Sequence, residues 1–215
     1  LTDPHEDVVA ATLRGGARSQ PPPWPQGWLQ FFDSPRLRPA ATELAQAWAR
    51  QDAAVLIDCV DAADTPDNAR LSLVAALEPA TGNAVASALQ RWLQSADDTL
   101  RGATLAVILA RRDRQGLRPP ASHPVEGCLS REMETALCWQ TAARDLAHLA
   151  EPLLDDALRR RFVQARDRCL MCLDLLFADL SHSRVTRSLE DRDPRQAAAA
   201  VELIDQILPR RLATG

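Results

Sequence analysis

Lysine and tyrosine are absent from this chain of 215 residues, and aromatic side chains make up only 4% of it. Each gap closes a door. All 25 basic residues are arginine, which reads as the codon bias of a GC-rich genome and makes arginine by itself weak evidence for phosphate recognition. The formal net charge of -4 points the same way and disfavours nucleic acid as a partner, because binders of a polyanion carry a basic excess. Scarce aromatic and β-branched residues, set against abundant alanine and leucine, disfavour strand and favour helix throughout. No apolar run reaches the roughly 18 residues that a membrane span requires, and nothing at the start has the charged-then-apolar form of a signal peptide. The chain opens on Leu1-Thr2-Asp3-Pro4 rather than on Met, which predicts a piece of a longer protein. Five cysteines, an odd number at irregular spacing, suit reduced thiols in a cytoplasmic compartment.

The usual signatures of catalysis are missing too. Neither Gly-x-Gly-x-x-Gly nor Gly-Lys-Ser/Thr occurs, so Gly15-Gly16 reads as a helix end and no nucleotide cofactor is expected. His5, His123, His148 and His182 show no metal-binding spacing, and no serine sits in a Gly-x-Ser-x-Gly elbow. Cys169-Leu170-Met171-Cys172 has the spacing of half a zinc site, but it falls inside a leucine-rich helical pattern with no second pair. It reads as packing, and neither metal nor cofactor is expected. Asp97-Asp98 and Asp155-Asp156 stand at helix starts, where the dipole favours negative charge, so capping accounts for them. The clusters Arg111-Arg112-Asp113-Arg114, Arg159-Arg160-Arg161 and Arg210-Arg211 read as solvated faces.

What is present is a rhythm. At Asp3-Pro4, Ser34-Pro35, Thr65-Pro66 and Asp193-Pro194 a capping residue precedes a proline, and an Ala/Leu-rich helical pattern follows. Proline suits the first helical position, where its missing N–H leaves nothing unsatisfied. The first three starts are spaced 31 residues apart, and a proline-less start at Ser95 follows 30 further on. Short apolar helices precede these starts: Trp28 to Phe32, Val55 to Val60 and Ala88 to Leu93. The unit is therefore helix, tight turn, capped helix, and a fixed period of about thirty marks an array of stacked pairs. Beyond about residue 115 the period lengthens. Gly116 to Pro124 reads as a loop, followed by two long helices, Ser130 to Ala150 and Asp155 to Leu180, pairing antiparallel across Glu151-Pro152. Leu129, Met133, Leu137, Trp139, Leu146 and Leu149 mark the expected inner face of the first; Phe162, Cys169, Leu173, Leu176 and Leu180 mark that of the second.

The units Asp3-Pro4 through Leu13, Ser34-Pro35 through Leu44, Thr65-Pro66 through Leu77 and Ser95 through Leu109 resemble HEAT repeats, including the short variety of the phycobilisome-lyase-like family. In that family's usual form an arginine follows the valine of Asp-Pro-x-x-Val-Arg. Here Val9 follows Val8, and of the expected pairs only Leu100-Arg101 is kept, so the units are degenerate. From Asp155 to Leu212 the chain resembles the cytoplasmic HEAT region of bacterial membrane proteins related to nucleotide (ATP/ADP) translocases, where a segment like Val201-Glu-Leu-Ile-Asp-Gln-Ile-Leu-Pro209 closes the helical domain. That resemblance implies attachment to a membrane domain in the full-length protein.

The expected fold is all-α, an α-α superhelix: a HEAT-like solenoid of stacked antiparallel helix pairs. Residues 1–115 form the short repeats, and 116–215 the longer hairpins that continue them in one domain. The expected function is a non-catalytic scaffold holding a protein partner on its concave face, which the second helix of each pair would line. Arg38, Glu43, Arg70, Arg101 and Arg195 are the expected outward contacts, with Asn68 and Glu202 beside them. Trp24, hemmed by prolines, is the expected exposed anchor, whereas Trp28, Phe31, Phe32 and Trp48 read as core. The alternative from another class is a HEAT-like enzyme, such as a DNA glycosylase or a bilin lyase-like protein.

Overall fold

The computed structural model describes residues 4–18, 27–116, 122–149, 151–177 and 180–190, together with 195, 196, 198, 199, 201 and 202. Among the described residues there are nine α-helices, two short 3₁₀ helices and no strand, so the chain is all-α as its composition predicts. It divides into two compact units, Leu1–Pro120 and Ala121–Gly215.

In the first unit, α1 (Pro4–Arg18) is followed by a 3₁₀ helix (Trp28–Phe32), α2 (Arg38–Gln51), α3 (Ala54–Asp61), α4 (Asp67–Ala76), α5 (Asn83–Leu93) and α6 (Asp98–Gln115). α1 packs on α2, α2 on α4 and α4 on α6; the intervening helices pair forward, α3 with α4 and α5 with α6, while α3 also meets α5. Small residues permit this close approach. α2 buries Ala40, Ala41, Ala45, Ala47 and Ala49 around Leu44 and Trp48, and α4 buries Ala69 and Ala76 around Leu73 and Val74. Trp28 anchors the first pair. Its ring meets those of Phe32 and Trp48 edge-on, with centroids 4.9 and 4.7 Å away, the arrangement that aromatic quadrupoles favour. All three rings are buried, as expected.

The helix starts differ in detail from the sequence reading. Gly15 and Gly16 lie within α1, not at its end. Ser34 accepts from the Leu37 N–H, but the chain makes a turn there and α2 begins only at Arg38. Thr65 does not cap α4: its hydroxyl donates to the Cys59 carbonyl, and Pro66 holds the N-cap position. At the fourth start the cap is Asp97, as expected of the Asp97-Asp98 pair, two residues beyond Ser95; its carboxylate accepts from the Thr99 and Leu100 N–H groups at 2.9 and 3.2 Å. α6 ends at Gly116, whose φ of 62° is a left-handed conformation that glycine adopts without strain.

The second unit holds α7 (Ser122–Leu146), a 3₁₀ turn (Ala147–Leu149), α8 (Pro152–Leu176) and α9 (His182–Glu190). α7 begins earlier than expected. Ser122, His123 and Pro124 belong to its first turn, where a proline sacrifices no hydrogen bond. Glu132 binds Arg168, and four residues earlier on α7 Cys128 meets Cys172, four residues later on α8. That opposed register makes the two helices antiparallel. Their inner faces are narrower than the spacing predicts. Of the expected α7 face only Leu129 is buried, whereas Met133, Leu137 and Leu149 are half-exposed or more. The buried side of α7 is Val125, Cys128, Leu129 and Glu132. α8 ends at Leu176 instead of Leu180, and Leu180 is buried beyond it.

Candidate functional site

The expected contact residues scatter. Trp24 lies outside the described residues. Glu43 is exposed on α2, 4.0 Å from Arg14 of α1, and Arg195 is exposed in the second unit. The other three share one place in three successive helix pairs, and it faces inward. Arg38 Nε donates to the Phe32 carbonyl at 2.9 Å. Arg70 Nη2 donates to those of Ala62 and Thr65 at 3.2 Å each. Arg101 Nη1 donates to those of Ser95 and Ala96 at 2.8 and 2.9 Å. Each guanidinium reaches back from the start of the second helix to the last residue of the first or to the turn that follows it, where carbonyls lie outside the helical ladder. These arginines latch the turn of each pair.

The expectation that all three point outward is therefore corrected. Arg101 is only 2% exposed, and Arg38 and Arg70 are half-buried. The spacing of the three was legible in the sequence, though their inward role was not. The three arginines recur at intervals of 32 and 31 residues, each directly after an apolar residue, Leu37, Ala69 or Leu100, that the structure buries. The family motif hid this, because only Leu100-Arg101 matched it.

Carboxylates hold neighbouring pairs together. Asp61, at the end of α3, accepts from the Trp92 indole N–H of α5 at 2.7 Å and also from Arg91. Glu78 takes Arg114 at 2.7 Å, and its carbonyl accepts from Gln115. One member of the basic cluster around 111 departs from the expected solvated face. Arg111 is buried, its Nε has no hydrogen-bond partner among the described residues, and burial pulls its guanidinium below the ordinary value.

In the second unit, Glu132 and Arg168 form a buried ion pair at 2.6 Å, their side chains 0% and 9% exposed. Three of the five cysteines surround it. Burial, then the Glu132 charge, pushes the Cys169 thiol up to about 12; the hydrogen bond with Cys128, then burial, raises Cys172 further. The Cys-x-x-Cys thus lies within the α7–α8 packing, and no metal-binding cluster of His, Cys, Asp or Glu occurs among the described residues. At pH 8 a thiol held at 12 has about 10³-fold less thiolate than an ordinary one. Iodoacetamide is therefore expected to modify exposed Cys138 first and to leave Cys169 and Cys172 intact until the chain unfolds. Peptide mass spectrometry over a time course checks this order.

A further feature is an open cleft of about 590 Å³ along α8 and α9, lined by Asp167, Met171, His182, Ser183, Thr186, Arg187 and Glu190. Asp174, 4% exposed, accepts from both the backbone N–H of His182 at 2.9 Å and its ring Nδ1 at 2.7 Å. Nothing in the sequence singles out His182. Its partner lies eight residues back on another helix, a spacing no metal or catalytic motif uses.

The class defined by this geometry is an all-α protein of packed helix pairs. No helix among the described residues is long and apolar enough to cross a membrane. No family model, curated protein or solved structure matches the chain.

Proposed function

We propose that the chain is a non-catalytic interaction module, its first unit a HEAT-like stack that holds a protein partner along α2, α4 and α6. The observation that carries this reading is the separation of packing from display. The order of the pairs is held from within, by alanine contacts and by the latches at Arg38, Arg70 and Arg101. Exposed positions of the second helices, among them Glu43, Arg50 and Asn68, are then left open to recognition. Glu43 meets Arg14 only at 4.0 Å with both side chains about half exposed, a contact of little stabilising value. Recurrence of one latch through three pairs supports the repeat and superhelix reading. The finer expectations, a cytoplasmic setting and attachment to a membrane domain, belong to this proposal and rest on the cysteine usage and the resemblance of residues 155–212. The rival enzyme reading draws on one observation, the His182–Asp174 pair in its cleft.

Affinity capture from lysate of the source cells, with the whole chain as bait, tests the proposal. The expected result is a protein retained by wild type despite nuclease treatment. It is lost by the double variant Glu43→Arg/Arg50→Glu, whose melting temperature stays within about 2 °C of wild type because surface changes alter stability little. Retention that nuclease abolishes, or a protein held equally by the variant, overturns the binding face named here.

A further inference from the structure

The cleft of the second unit is independent of that proposal, and it is a built site. On α8, Asp167, Met171 and Asp174 stand at i, i+4 and i+7, one stripe of the helix. On α9, His182, Ser183, Thr186, Arg187 and Glu190 form the facing stripe. Asp174 alone would cap α9 through the His182 backbone N–H, yet the same oxygen also takes the ring at Nδ1. A carboxylate at Nδ1 places the neutral ring's proton there and its lone pair on Nε2. With Nδ1 engaged, Nε2 is the ring atom left for the cleft, and it has no partner among the described residues.

The charges of the cleft are unequal in their freedom. Asp167 and Glu190 are both held by Arg166, at 2.8 and 3.1 Å. Arg187 makes no ion pair or hydrogen bond among the described residues. A planar fork of donors with nothing to bind is suited to a carboxylate or phosphate oxygen pair. The same cleft is lined by His182, with Nε2 as its acceptor, by Thr186, and by Ser183, whose hydroxyl lies 3.2 Å from that of Ser181. The start of α9 adds the positive end of a helix dipole. The two carboxylates at the rim limit the occupant to one anionic group, because a polyanion would meet Asp167 and Glu190.

We propose that this cleft binds a small ligand carrying one oxyanion, phosphate or carboxylate, together with an adjacent O–H group. Arg187 grips the oxyanion, and His182, oriented by Asp174, accepts the hydroxyl proton in a hydrogen bond. Monohydrogen phosphate offers both features in one ion. Glycolate offers them as a 2-hydroxy carboxylate, and acetate keeps the anion while lacking the hydroxyl.

The test is NMR titration of the ¹⁵N-labelled full chain with phosphate, glycolate and acetate, following the Arg187 Nε–H and His182 ring resonances at constant chloride. Saturable shifts with a dissociation constant on the order of 1 mM are expected for phosphate or glycolate, and whichever saturates names the source of the oxyanion. Arg187→Gln, an exposed change, should weaken binding at least about tenfold. His182→Gln should bring glycolate down to the affinity of acetate while leaving α9 capped by Asp174. Shifts that stay linear to about 50 mM, or that persist unchanged in Arg187→Gln, overturn the site. Equal affinity for glycolate and acetate in wild type overturns the role of His182.

Discussion

Glu132→Ala is expected to destabilise the unit 121–215 by about 3–5 kcal/mol, enough to unfold a domain of that size under mild conditions. The dominant cause is the loss of the counter-charge to the buried Arg168, ahead of the hydrogen bond that disappears. Arg168 is 9% exposed and Glu132 0% exposed, so removing the carboxylate leaves a guanidinium that water reaches poorly, in the middle of the α7–α8 interface. Glu132→Gln keeps an acceptor at the same place and should cost less. The double variant Glu132→Leu/Arg168→Leu should recover most of the stability, since apolar replacement of a whole buried pair is often neutral or better. Hydrogen exchange resolved by peptide reads α7 and α8 separately from the first unit, which a single melting curve does not. Equal protection in Glu132→Ala and wild type would overturn this account of the pair.

Arg101→Ala carries the second large effect, about 3 kcal/mol on the unit 1–120. Two charge-assisted hydrogen bonds to carbonyls are removed, and the volume of a side chain only 2% exposed is vacated. Arg101→Lys should fall between wild type and Arg101→Ala, because a single nitrogen, Nη1, serves both carbonyls and an ammonium on a shorter stem can replace it only in part. Arg70→Ala and Arg38→Ala, at half-buried latches, should each cost about 1 kcal/mol. The ranking is the diagnostic, read by urea denaturation followed through tryptophan fluorescence. If Arg101→Ala leaves the midpoint unchanged but abolishes partner capture, Arg101 is a recognition residue after all and the latch is incidental.

Both predictions concern residues whose types were plain in the sequence and whose roles were not. The helical class was legible because it follows from local preference: alanine and leucine favour helix at every position, and proline after a capping residue punctuates it. The short helices Trp28 to Phe32, Val55 to Val60 and Ala88 to Leu93 each fall within a helix of the structure, though the first is 3₁₀ and short. Thr65 shows where local reasoning stopped. Its hydroxyl had two acceptable uses, a cap for α4 or a bond to Cys59, and only the path of the chain after α3 selected the second.

Facing was decided by neighbours. Met133 and Leu137 fit the helical period, yet α8 lies against Val125, Cys128, Leu129 and Glu132 instead. A periodic pattern fixes which residues share a stripe; which stripe is covered depends on where the next helix lies. The same holds for charge. Arginine at 38, 70 and 101 reads as outward because arginine is ordinarily solvated, until the turn carbonyls of the preceding helix come within 3.2 Å or less. The sequence by itself determined the helical class, the thirty-residue rhythm and the absence of local catalytic motifs, all properties of residues near in the chain. Only the tertiary structure decided the inward latches, the buried Glu132–Arg168 pair and the His182 cleft. Those join groups 5 to 36 residues apart, and no local preference ranks one such pairing above another until packing closes the distance.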